Sequence, residues 1–173
     1  MDWCHYRFHS RWDLDATPAA VFAALADGDG YPRWWPQVRE VRRIDDRTGT
    51  ARFRSLVPYD LNLTVTEAHR DPALGTLRVT FSGDLEGWAR WTVTARGTGT
   101  RALFVQDVVA RKPLLRRFAV LGRPLFRANH ALMMRAGCRG LRARLESGLN
   151  HTSPDLYCSG RSTGEIPGEH PGD

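Results

Sequence analysis

The sequence predicts an α+β domain in which one long antiparallel sheet curves over a single long helix near the C-terminus. Three observations carry this reading. A period-two segment stands near the start of the chain. Between Val38 and Ala110 lies a run of segments rich in β-branched and aromatic residues. Turn signals cut that run at "DDRTGT" (45–50), "PYD" (58–60), "RDPALG" (70–75), "SGDLEG" (82–87) and "RGTGT" (96–100). After Lys112-Pro113 the apolar period becomes helical.

From Tyr6 to Asp15, the residues Phe8, Ser10, Trp12 and Leu14 alternate with Arg7, His9, Arg11 and Asp13, so the segment reads as a strand. A helix follows. Thr17 suits its N-cap because a hydroxyl there accepts a free first-turn N–H, and Pro18 suits the first position, where no donor is needed. Val21, Phe22 and Leu25 make its apolar stripe, and Gly28-Asp29-Gly30 ends it. The segment "YPRWWPQV" (31–38) has room for a short second helix before Pro36 interrupts. Runs such as "NLTVTEA", "LRVTF", "WARWTVTA" and "ALFVQDVVA" belong to six further strands in a meander, giving seven with the first. In the C-terminal part, Leu114, Phe118, Leu121, Leu125, Leu132 and Ala136 fall within about 60° of one another at about 100° per residue. Gly122-Arg123-Pro124 is expected to split this helix, leaving a main segment from about Leu125 to Leu145. Residues 1–147 read as one domain. Residues 148–173 hold five glycines and three prolines and read as a disordered tail.

With 173 residues, 42% hydrophobic and 25% charged, the chain has ordinary globular composition and length for one core. No apolar run approaches the roughly 20 residues of a membrane span, and "MDWCHYRFHS" lacks the layout of a signal peptide, so the reading is a cytoplasmic protein. Cys4, Cys138 and Cys158 are widely spaced and suggest neither a disulfide framework nor a zinc site. The net charge of +6 is uneven: ten basic residues and no carboxylate lie between Arg111 and Arg144. That balance suits an anionic partner, with an anionic membrane surface as the candidate contact; the plainer reading is a solvated helix face in an arginine-rich chain. Nucleic acid is not expected, since no RNP-like strand or zinc-finger spacing accompanies the basic stretch.

The pieces "DLDATPAAVFAALAD", "YPRWWPQVREV", "PYDLNLTV", "SGDLEGWARWTV", "GTRALFVQDVV" and "RPLFRANHALMMRAGCRGLRARL" occur in this order and spacing. Together they resemble the START-like SRPBCC superfamily, the helix-grip fold, and within it bacterial proteins of the polyketide cyclase/dehydrase-like type. The resemblance runs from about Tyr6 to Leu145. It implies a seven-stranded curved sheet wrapped around the long C-terminal helix, with two short helices between strands one and two and a cavity between sheet and helix. It does not imply a reaction, because such folds serve carriers, sensors and cyclases alike.

On that frame Trp34 and Trp35 would anchor a lid at the cavity mouth, one of them touching the cavity; the plainer reading makes both core plugs. A tryptophan there could still offer its N–H to a ligand. Asn129 points toward the sheet on the expected stripe, where an unpaired amide is costly, so a ligand or a neighbouring group must satisfy it. His130, about 140° from the stripe centre at about 100° per residue, looks peripheral. It is the candidate general base, against a structural role bonding the lid or a loop. Met133, with Met134, suits an adaptable wall or an ordinary core. Trp12, Tyr59, Trp91 and Gln106 are candidate lining residues on the sheet, beside Ser10 and Trp88, subject to register. Asp107 is a possible acid if it, rather than Gln106, faces inward, and Arg90 reads as a surface residue. HExxH, GxSxG, Walker and GxGxxG patterns are absent, and the histidines show no metal-ligand spacing, so no metal and no cofactor is expected. The expected function is binding of a hydrophobic or aromatic small molecule, lipid or polyketide-like. The alternatives are a polyketide aromatase/cyclase-type enzyme and a membrane-surface lipid or quinone carrier.

Overall fold

Alternation sets the strands, and glycine and proline set where they end. The computed structural model describes residues 4–54, 60–111 and 123–150. Strand β1 (His5–Leu14) leads into helix α1 (Pro18–Ala26), a single 3-10 turn (Gly28–Gly30) and the short helix α2 (Tyr31–Trp34). Strands β2 (Val38–Arg43), β3 (Thr48–Arg54), β4 (Asp60–Asp71), β5 (Thr76–Gly83), β6 (Leu85–Arg96) and β7 (Gly99–Ala110) follow, and helix α3 (Arg123–Asn150) comes last. All seven strands form one antiparallel sheet in the order β1-β7-β6-β5-β4-β3-β2. It is the α+β helix-grip architecture expected from the residues.

In β1 the alternation holds: Tyr6, Phe8, Trp12 and Leu14 are buried. Register places Phe8 opposite Gln106, and Gln106 opposite Ala89, so these three share the concave face. Irregular registers between Val38 and Glu40 and between Glu67 and His69 add local bend to the sheet. At Gly87, φ is 146° and an added Cβ would lie 2.1 Å from the Asp107 carbonyl oxygen, so only glycine fits this kink beside β7.

Thr17 caps α1 as expected, its Oγ1 accepting from the Ala20 N–H at 3.3 Å. Helix α1 buries Val21, Phe22, Ala24 and Leu25 against the sheet. Asp27 then fastens the 3-10 turn, accepting from the Gly30 N–H at 3.1 Å and from Arg144 at 3.1 Å. Helix α2 rests directly on α3. The Trp35 indole N–H donates to the Met133 carbonyl at 3.0 Å. Gly137 and Gly140 form its seat: a Cβ on Gly137 would lie 2.6 Å from the Trp35 ring, and one on Gly140 would lie 1.6 Å from the Trp34 carbonyl oxygen.

The expected helix stripe is corrected. Leu125 and Leu132 face outward, 59% and 43% exposed. The side of α3 toward the sheet carries Phe126, Asn129, His130, Met133, Met134, Gly137 and Leu141. The expected stripe was phased on leucines, whereas the α3 positions that meet the sheet are held by phenylalanine, histidine, methionine and glycine. Helix α3 also continues to Asn150, past the expected end at Leu145. Leu114, Phe118, Leu121, Tyr59 and the expected tail from 151 onward lie outside the described residues.

Candidate functional site

A cavity of about 290 Å³ lies between the concave sheet and α3. Its sheet wall comes from Leu61, Leu63, Val79, Phe81, Trp91 and Phe104, and its helix wall from Phe126, Met133 and Met134. Leu25, Tyr31 and Trp35 close it from the lid side. The rim is charged and partly paired. Arg43 donates to Asp29 at 2.7 Å, and Arg70 bonds Glu67 and the Ala26 carbonyl, tying the 3-10 turn and the end of α1 to the sheet.

Beneath α3, Gln106, Asn129 and His130 bring polar side chains into this apolar space. Gln106 and Asn129 are buried. His130 Nε2 lies 3.0 Å from Gln106 Oε1. An amide oxygen only accepts, so Nε2 carries the proton and Nδ1 is left as an acceptor. The imidazole stacks on Phe8 with ring centres 3.8 Å apart, and Phe104 stands 6.2 Å away. Burial among these rings lowers the His130 pKa from 6.5 to about 4, so the ring is neutral at physiological pH. Asn129 donates to the Met133 thioether at 3.8 Å. Tyr31 donates its hydroxyl proton to the Leu25 carbonyl at 2.9 Å, and burial pushes its phenol well above the usual range.

His130 was expected at the periphery; it sits at the centre of the inward face, a direct result of the corrected helix phase. Trp35 and Trp91 line the cavity, whereas Trp12 and Trp34 stand behind that lining. Trp12 is covered by Trp91 and Trp35, its ring centre 4.7 and 5.7 Å from theirs. Trp34 stacks behind Trp35 at 5.5 Å, because adjacent residues on one helical turn cannot face the same way. The tryptophan N–H expected to orient a ligand is, at Trp35, already donated to Met133. Tyr59 lies outside the described residues.

Asp107 turns to the convex face, where His5 and Arg7 bond it and hold its carboxyl below the usual range. Trp88 lies on that face too, under the Arg78 guanidinium at 4.7 Å, and Arg90 is exposed. Ser10 is not part of the lining. The sequence reading missed Phe8 and Phe104, whose rings stand against His130, and Phe126, which packs on Tyr6 and Phe8. Phe8 and Phe104 were visible as inward positions of their strands. It also missed the seat at Gly137 and Gly140, signalled by paired glycines inside a helix that each weaken it by about 1 kcal/mol. Among the described residues no cluster of His, Cys, Asp or Glu is arranged to hold a metal ion, and no helix is long and apolar enough to cross a membrane.

Residues 5–146 match the family model for "Polyketide cyclase / dehydrase and lipid transport". The chain belongs to that family. Solved structures with the same fold are similar at low identity. A protein from Thermus thermophilus is 18% identical with a TM-score of 0.71, the match covering 86% of this chain and 100% of that one. The Zhui aromatase/cyclase from Streptomyces sp. R1128 is 14% identical with a TM-score of 0.72, covering 84% and 96%. A START superfamily protein from Mycobacterium smegmatis is 16% identical with a TM-score of 0.64, covering 82% and 97%. No curated protein matches the chain. At these identities the family member shares its fold with these proteins, and its site must be argued from its own residues.

Proposed function

We propose that this family member binds a small, uncharged, largely planar apolar molecule bearing one hydroxyl or carbonyl group. The observation that carries this reading is the neutral His130–Gln106 pair set among aromatic rings in the cavity. His130 Nδ1 accepts from a ligand hydroxyl, and the Gln106 amide donates to a ligand carbonyl. The arginines that line the cavity, Arg43, Arg47 and Arg70, lie on β2, the β2–β3 turn and β4, and none bonds His130 or Gln106, so a ligand carboxylate or phosphate held at the pair would be stripped of water without a charged partner there. The cavity volume is at the small end of ligand sites and suits roughly two or three fused rings better than a long acyl chain. Burying about 300 Å² of apolar ligand surface contributes about 7 kcal/mol before the cost of association.

One observation favours a second reading, an aromatase/cyclase-type enzyme: a neutral imidazole with an open nitrogen stands where a folded chain would lie. Its basicity, lowered by burial, makes it a weak base at neutral pH, so binding ranks first. Calorimetric titration with 2-naphthol and 2-naphthoate tests the binding reading. The expected result is at least about tenfold tighter binding of the uncharged phenol, about 1.4 kcal/mol. Equal or tighter binding of the carboxylate overturns it. Conversion of a linear polyketide mimic, lost in His130→Phe, would favour the enzyme.

A further inference from the structure

Helix α3 has a second face, turned from the sheet, for which the cavity has no use. Leu125, Ala128, Leu132, Arg135 and Arg139 fall within about 80° of arc at about 100° per residue, and all are exposed. Arg142 borders this arc, and Arg127, about 80° beyond its edge at about 100° per residue, can reach the same surface on its long stem; both are exposed as well. From Arg123 to Leu145 the helix contains no carboxylate. On the sheet many arginines are neutralised, Arg7 by Asp107, Arg43 by Asp29, Arg54 by Asp60, Arg101 by Asp13 and Arg111 by Glu86, and the others stand apart from any apolar stripe of this kind. Arg127, Arg135 and Arg139 have no carboxylate partner among the described residues.

Two exposed leucines bordered on one side by arginines without a carboxylate partner are a specific combination. A second copy of the chain on this face would set arginine against arginine. A nucleic acid would use the charge and leave the leucines in water. An anionic phospholipid surface uses both: apolar side chains enter the boundary between headgroups and acyl chains, and guanidinium groups meet phosphates on stems that reach back toward water. We infer that the outer face of α3 docks on an anionic membrane surface, with Leu125 and Leu132 inserted and Arg127, Arg135 and Arg139 against the phosphates. The same helix is a wall of the cavity on its other side, so docking brings the cavity next to a reservoir of apolar molecules.

Vesicle co-sedimentation of the full chain, with no ligand added, tests this independently of the cavity. Phosphatidylserine in phosphatidylcholine is compared with phosphatidylcholine alone, at low salt and at roughly 1 M salt, where screening shortens to about 3 Å. The expected result is binding that requires phosphatidylserine and is lost at high salt. Each arginine contributes about fivefold, so Arg127→Gln/Arg135→Gln/Arg139→Gln binds about a hundredfold more weakly. Leu125→Gln/Leu132→Gln binds at least about tenfold more weakly. The inference is overturned if vesicles of either composition bind equally, or if both variants bind like the parent. It is likewise overturned if duplex DNA binds as tightly with the same salt dependence, or if the leucine variant abolishes a dimer instead of vesicle binding.

Discussion

Gly140→Ala reverses the usual sign of a helix substitution. In an open helix interior, alanine in place of glycine stabilises by about 1 kcal/mol. At position 140 the new Cβ would lie 1.6 Å from the Trp34 carbonyl oxygen and 2.8 Å from its carbonyl carbon. An ordinary carbon–oxygen contact is about 3.3 Å, so α2 must back away by more than about 1.5 Å. The neighbouring Trp35 N–H, now 3.0 Å from the Met133 carbonyl, would lose that bond. Overpacking costs about 1–3 kcal/mol and the lost bond about 1 kcal/mol, against the helix gain of about 1 kcal/mol. The net expectation is a loss of about 2 kcal/mol, or a melting temperature about 4–8 °C lower for a chain of this size. Thermal unfolding followed by circular dichroism reads it directly. Gly148→Ala, where an added Cβ meets nothing within 4 Å, is the control and should melt no lower than the parent. If Gly140→Ala melts at or above the parent, α2 is not seated on α3 as described.

Acid should loosen the fold through His130. Its folded pKa is lowered from 6.5 to about 4, so between those values the unfolded chain takes up a proton that the folded chain refuses. Stability is complete above about pH 6.5 and falls as pH drops toward 4, by up to roughly 3 kcal/mol. Urea unfolding across this range should show the slope in the parent and a flatter line in His130→Gln; identical slopes would refute the buried neutral ring. Trp35→Phe removes the bond to Met133 and one ring of a buried indole, so it should melt at least about 4 °C lower. A variant that melts with the parent would mean the bond contributes nothing.

The sheet was legible because period two is strong where one face is buried: Tyr6, Phe8, Trp12 and Leu14 declare their side without help from the rest of the chain. Thr17 and Pro18 marked the start of α1 for reasons local to one turn. The phase of α3 was not legible. Its inward face is made of Phe126, His130, Met133, Met134 and glycine, while its leucines point out, so a search for the strongest apolar stripe selects the wrong side. That single rotation carried the misplacement of His130. Which tryptophans reach the cavity was also beyond the sequence, because Trp12 and Trp34 differ from Trp91 and Trp35 only in what stands in front of them.

The strand order carries a consequence for how the chain assembles. Strands β2 to β7 pair with their neighbours in sequence, and each hairpin can close over a short loop. Strand β1 instead waits for the far end of the sheet: His5 meets Asp107, 102 residues away. Contacts this distant slow the search for the native arrangement. During synthesis the first strand leaves the ribosome with its partner still unmade, so the packing of Trp12 on Trp91 must wait until β6 and β7 have been made.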